Sequence, residues 1–209
     1  MVVQWYFDFI SPFAYLQSER LDELPHGTQI EFKPVLFAAL LNHWGQKGPA
    51  EIPSKRRFTY REVLWIARRD SIDFRMPPAH PFNPLSALRL AIALGSDSDV
   101  VHTIFRFIWA EGNRPDDPES WQKLTQRLGV CDAHEQIAKT EVKNKLRTNT
   151  KEAISFGVFG VPTIAIGEEL FWGYDMTAMA AAFIDDPHAF DDAEMQRAGT
   201  LPVGVERPR

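Results

Sequence analysis

Residues 8–16 read DFISPFAYL, and the fold turns on how that stretch is parsed. Upstream, Val2 to Phe9 (VVQWYFDF) is a β-branched and aromatic run of the kind a strand shows when a sheet buries both its faces. From Pro12 the apolar period changes, because Phe13, Leu16, Leu21 and Leu24 share one helical face and Pro25 with Gly27 closes the segment. A strand therefore ends at a Ser-Pro pair that starts a helix. Gln29 to Val35 (QIEFKPV) alternates again, and Pro34 marks a strand end or a sheet edge. Strand, helix and strand in so short a span make a βαβ unit with parallel strands.

Between Pro53 and Phe156 the sequence offers no convincing strand. Helical patterns run over Lys55–Asp70, Asn83–Gly95, Asp97–Glu111, Glu119–Leu128 and Ala133–Phe156, the last with a break. Asn83-Pro84 and Pro118-Glu119 have the chemistry of helix starts. The segment Met76–Pro84 (MPPAHPFNP) holds four prolines in nine residues and is expected to be an extended, stiff loop. Strands return after Gly157: Val161–Ile166 (VPTIAI), turn chemistry at Gly167-Glu168-Glu169, and Leu170–Trp172 running back. Asp175 is then expected to cap a helix (TAMAAAFI), and the tail from Asp191 to Arg209 to be a surface extension.

A chain of 209 residues, 44% apolar and 24% charged, has the makings of an ordinary globular core, as one domain or as a small domain with a large insertion. A net charge of −5 gives no basic field for nucleic acid or anionic lipid. The first ten residues lack the basic and small-residue features of a leader and are too short to span a bilayer, so a cytoplasmic location is expected. Cys131 is the single cysteine, which leaves neither an internal disulfide nor a dithiol centre. His26, His43, His80, His102, His134 and His188 show no metal-binding spacing, and no metal site is expected.

Taken together, the order βαβ, helical block, ββα is the thioredoxin-like arrangement. The expected class is α/β, with a discontinuous thioredoxin-like domain over 1–52 and 157–209 and an inserted all-α domain over 53–156. Ser11-Pro12 lies where such a fold meets its substrate, although Ser as N-cap followed by Pro is also the commonest plain helix start. Gly157–Thr163 (GVFGVPT) places Pro162 at the opening of a strand, making Val161–Pro162 a candidate cis bond. A cis bond there would turn the Val161 N–H and C=O toward a ligand with which an extended peptide could pair.

YFDFISPFAYL, GPAEIPSKRRFTYREV, PPAHPFNPL, GVFGVPT and FWGYD together resemble the 2-hydroxychromene-2-carboxylate isomerases, relatives of the kappa-class glutathione transferases and the DsbA-like oxidoreductases, over nearly the whole chain. The resemblance implies glutathione as cofactor, with Ser11 in place of a redox cysteine, donating to the glutathione sulfur. It implies isomerisation of a hydroxychromene carboxylate to an arylidene pyruvate in aromatic catabolism, by thiolate addition, rotation and elimination. It places the glutathione backbone on Val161 and Pro162, and the γ-glutamyl end on Trp172, Gly173, Tyr174 and Asp175. A homodimer and a small aromatic substrate are its further implications.

For the substrate, the matching positions are Leu41, Glu51 and Ile52, where relatives carry a lysine and a polar or cationic pair; Lys55 and Arg57 lie close by in sequence. His80, Phe82 and Asn83 are the candidates for shaping an aromatic pocket, against the plain alternative that their loop only packs. A kappa-type transferase or peroxidase would keep Ser11 and Asp175 but accept electrophiles such as haloaromatics, and a non-catalytic thioredoxin-like binding module is the reading if glutathione fails to bind. Disulfide exchange is excluded, because Ser11 and Ala14 hold no sulfur.

Overall fold

Four strands, β1 (Val2–Phe7), β2 (Gln29–Pro34), β3 (Thr163–Ile166) and β4 (Glu169–Trp172), form one sheet of order β2-β1-β3-β4 in the computed structural model, which describes residues 2–205. β2 runs parallel to β1, with Trp5 opposite Phe32; β3 runs antiparallel to β1, with Trp5 opposite Ile164, and β4 antiparallel to β3. Two helices accompany the first pair of strands, α1 (Pro12–Ser18) and α2 (Phe37–Trp44). Six more lie between α2 and β3: α3 (Pro53–Arg69), α4 (Leu85–Ala93), α5 (Ser98–Phe105), α6 (Pro118–Arg127), α7 (Ala133–Ala138) and α8 (Thr140–Ser155). After the sheet come α9 (Thr177–Asp185) and α10 (Ala193–Gly199).

β1 is central, and its alternation divides the core. Val3, Trp5, Phe7 and Phe9 enter a large cluster shared with the helices, while Tyr6 joins Val35, Leu40, Val158 and Val161 on the other side. The helices grip the sheet through aromatic contacts centred on Phe105, whose ring lies 4.7 Å from Phe9 and 5.5 Å from Phe7. Pairs of this kind contribute roughly 0.5–1.5 kcal/mol each beyond area burial. The end of β1, where the chain turns at Ser11, is thus fastened to the helical block.

Several elements differ from the sequence expectations. α2 has no counterpart in the reading of residues 36–52, because its N-terminus has no side-chain cap of its own. Its first amides are served from afar: Phe37 N–H donates to Asp8 Oδ2 at 2.9 Å and Leu36 N–H to Thr150 Oγ1 at 3.0 Å. The span expected as one helix over Asp97–Glu111 ends at Phe105 and continues as a π-helical turn, Arg106–Ala110. The break expected between Ala133 and Phe156 falls at Lys139, whose ψ of 139° is not helical. The tail expected as an extension contains α10, capped by the Asp192 carboxylate, and residues 206–209 lie outside the described residues. The proline-rich loop holds a cis His80–Pro81 bond in addition to the expected cis Val161–Pro162.

Asp175 does not cap α9. The helix begins at Thr177 with Met176 as an uncapped N-cap, and Asp175 sits within a 3-10 turn, Tyr174–Met176. Gly173, at φ 115°, steers the chain into that turn, and Thr177 Oγ1 donates to Tyr174 O at 3.0 Å to hold it.

Candidate functional site

Ser11 is the N-cap of α1: its φ of −91° and ψ of 115° are extended, and its Oγ accepts from Ala14 N–H at 3.2 Å. The same hydroxyl donates across the chain to Val161 O at 3.4 Å, bringing together the two motifs that the sequence separates by 150 residues. With 7% of its surface accessible, Ser11 sits at the bottom of a corner rather than on a rim.

The corner is pinned on every side. Ser11 N–H donates to Asp8 O at 3.0 Å, and the Asp8 carboxylate accepts from Ile10 N–H at 3.1 Å as well as from Phe37. Trp109 Nε1–H, from the π-helical turn, donates to Phe9 O at 2.9 Å, and His80 Nε2 meets Ile10 O at 2.8 Å. Asp8 is fully buried, and loss of solvation raises its carboxyl to about 7 against the opposing pull of the Phe37 and Ile10 amides. His80 is pushed below the ordinary imidazole range by the same cause.

The cis Val161–Pro162 bond leads into β3, and Pro162 O accepts from Gly173 N–H at 3.0 Å, so the 173–175 turn lies directly beside it. Buried Gln17 secures that turn by donating to Gly173 O and Thr177 Oγ1, each at 3.0 Å, while accepting from Trp5 Nε1–H at 2.7 Å. Tyr174 is buried inward: its hydroxyl bonds to Asp70 and to Arg20 Nη1, the latter at 2.5 Å. Arg69, Tyr174 and Arg20 together hold the Asp70 carboxyl at about 2. The Asp175 side chain is exposed, and Glu62 of α3 lies near enough that burial and then the Asp175 charge raise its carboxyl. Trp172 is 52% accessible and packs edge-on against Phe159, with Trp44 close by, donating to Val158 O at 3.0 Å.

The remaining candidates are held by local contacts. Glu51 folds back to accept from Gly48 N–H at 2.6 Å, closing the 3-10 turn Pro49–Glu51, and Leu41 packs against Gly48. Ile52 is the exposed N-cap of α3, and Lys55 and Arg57 are exposed along that helix. Phe82 is only 6% accessible and packs in the core beside Trp109. Asn83 helps start α4, its Oδ1 accepting from Leu85 N–H at 3.0 Å. Asp8, Gln17, Tyr60, Glu62 and Trp109 were not among the sequence candidates. Asp8 alone had a visible signal, as a carboxylate inside an apolar run.

The DSBA-like thioredoxin domain model matches residues 2–185. A 2-hydroxychromene-2-carboxylate isomerase from Pseudomonas putida is 30% identical over 86% of this chain and 92% of its own. Glutathione S-transferase kappa 2 from Caenorhabditis elegans is 29% identical over 89% of this chain and 92% of its own. The solved structure of a 2-hydroxychromene-2-carboxylate isomerase superposes with a TM-score of 0.78 at 23% identity, covering 97% of this chain and all of that one. Because the match to the domain model runs from β1 to α9, the chain belongs to the DSBA-like thioredoxin family, and its 30% identity to the Pseudomonas putida relative places it in the group that holds the 2-hydroxychromene-2-carboxylate isomerases and the kappa-class glutathione transferases.

Proposed function

We propose that this chain is a glutathione-dependent isomerase of 2-hydroxychromene-2-carboxylate-type substrates, converting them to trans-o-hydroxybenzylidenepyruvate. The observation that carries this reading is the contact between the Ser11 hydroxyl and Val161 O, which sets a proton donor beside a main-chain edge able to pair with a peptide. At 3.4 Å that hydrogen bond is long, so the proton is readily redirected to a sulfur placed next to it. A tripeptide with a free α-amino group fits the rest. Val161 would pair with its central residue, the Tyr174 amide would meet its γ-glutamyl carboxylate, and Asp175 would take its ammonium, in a field made more negative by Glu62.

Glutathione, when bound, supplies a thiolate that adds to the conjugated double bond, leaves a single bond free to rotate, and departs unchanged. Ser11 would stabilise that thiolate by donating its hydroxyl hydrogen to it, and Trp44, Phe159 and Trp172 would offer flat apolar surface to the aromatic ring. With Glu51 an acidic group engaged by Gly48 N–H, recognition of the substrate carboxylate would fall to other groups. The proposal extends to a cytoplasmic homodimer in aromatic catabolism; among the described residues no helix is long and apolar enough to cross a membrane.

The test follows isomerisation of a hydroxychromene carboxylate with and without glutathione. Turnover is expected only with glutathione, which is recovered in full. Turnover without it refutes the cofactor assignment. Stoichiometric consumption, with a conjugate accumulating from haloaromatic electrophiles, makes the chain a kappa-type transferase instead.

A further inference from the structure

The proposed chemistry leaves one side-chain relay at the corner unused. Tyr60, on α3, has its hydroxyl 2.8 Å from His80 Nδ1 and 2.8 Å from His80 O, and His80 Nε2 lies 2.8 Å from Ile10 O. A carbonyl oxygen only accepts, so Nε2 carries the hydrogen. Burial keeps the imidazole neutral, which leaves Nδ1 with a lone pair facing the Tyr60 hydroxyl. The Tyr60 O–H has a single hydrogen to donate; given to Nδ1, it joins the Nε2–H bond to Ile10 O in holding the ring in one orientation.

Ile10 O and Ser11 N belong to one peptide plane, and the plane is held at both edges: His80 donates to the carbonyl, and Ser11 N–H donates to Asp8 O at 3.0 Å. Rotation of that plane moves Ser11 Cβ directly. Trp109 holds only the peptide before it, through Phe9 O. Because the contact from Ser11 Oγ to Val161 O is already 3.4 Å, a small rotation takes the hydroxyl out of register.

We propose that Tyr60 and His80 are a positioning pair, Tyr60 fixing the His80 ring in its Nε2–H tautomer and His80 fixing the Ile10–Ser11 peptide that aims the Ser11 hydroxyl. The inference rests on the role given to Ser11 above. His80 therefore acts on the site through the backbone and not as a wall of the substrate pocket.

Three variants and two readouts test it. The ultraviolet absorbance of bound glutathione thiolate reports its pKa. Tyr60→Phe and His80→Leu are expected to lower the thiolate fraction at neutral pH, and kcat with it, by roughly three- to tenfold, the worth of one hydrogen bond, with KM little changed. His80→Gln, which keeps an N–H for Ile10 O, is expected to recover most of that loss. A packing role instead makes His80→Leu and His80→Gln alike, with lower melting temperatures and an unmoved thiol pKa, and overturns the proposal. The second readout needs no glutathione: NMR of the His80 ring nitrogens should show a neutral Nε2–H tautomer in the parent protein, and Tyr60→Phe should shift the Ser11 amide resonance. An Nδ1–H tautomer, or a Ser11 amide indifferent to Tyr60→Phe, overturns the pair even if glutathione never binds, an outcome that would separately refute the functional reading.

Discussion

Replacing Asp8 with asparagine should change how stability depends on pH more than it changes stability itself. The carboxyl is fully buried, and loss of solvation lifts it from 3.8 to about 7. A group whose folded pKa is raised contributes its stability in full below the unfolded value and loses it as pH rises through the folded one. The interval from 3.8 to about 7, at about 1.4 kcal/mol per pH unit, amounts to on the order of 4 kcal/mol, lost between roughly pH 4 and pH 7. The value of about 7 already includes the opposing pull of the Phe37 and Ile10 amides, at 2.9 and 3.1 Å, which favour the charged form. Asp8→Asn removes the titration and one acceptor, a constant offset of about 1 kcal/mol. Urea unfolding of both proteins from pH 4 to pH 8 yields the difference curve. The parent should lose stability relative to Asp8→Asn across that range, then level off. A flat or rising difference would mean that the two amides outweigh desolvation and that Asp8 is an ordinary buried carboxylate.

Ser11→Ala and Ser11→Gly should each cut glutathione-dependent turnover by on the order of ten- to a thousandfold while both stay folded, glycine costing only a few tenths of a kcal/mol as a cap. Near-normal turnover in the glycine variant would reduce Ser11 to a helix cap. Gly160→Ala should displace Trp172, because an added Cβ would lie 2.3 Å from its Nε1. A melting temperature lowered by the equivalent of about 1–3 kcal/mol and a shifted tryptophan emission are expected, and unchanged emission would show that the ring had not moved.

What the sequence alone determined about this protein is what short-range chemistry encodes. The apolar run of β1, the Ser-Pro start of α1 and the turn at Gly167 each lie within a few residues of their own causes, so strand, helix and hairpin were legible there. The order of the elements pointed to the thioredoxin-like class, and the Ser-Pro and GVFGVPT motifs strengthened it. The rest depends on partners distant along the chain. α2 is capped by Asp8 and Thr150, 29 and 114 residues away, and no local pattern announces such a cap. Asp175 has the residue type of a helix cap, yet Gly173 and Gln17 turn the chain into a 3-10 turn and leave the carboxylate open to solvent. The packing of Phe82 against Trp109 likewise comes from the folded chain and not from a local pattern. The deepest gap concerns protonation: Asp8 and His80 depart from their ordinary ranges because folding strips water from them, and desolvation belongs to the packed interior, not to a position in the sequence.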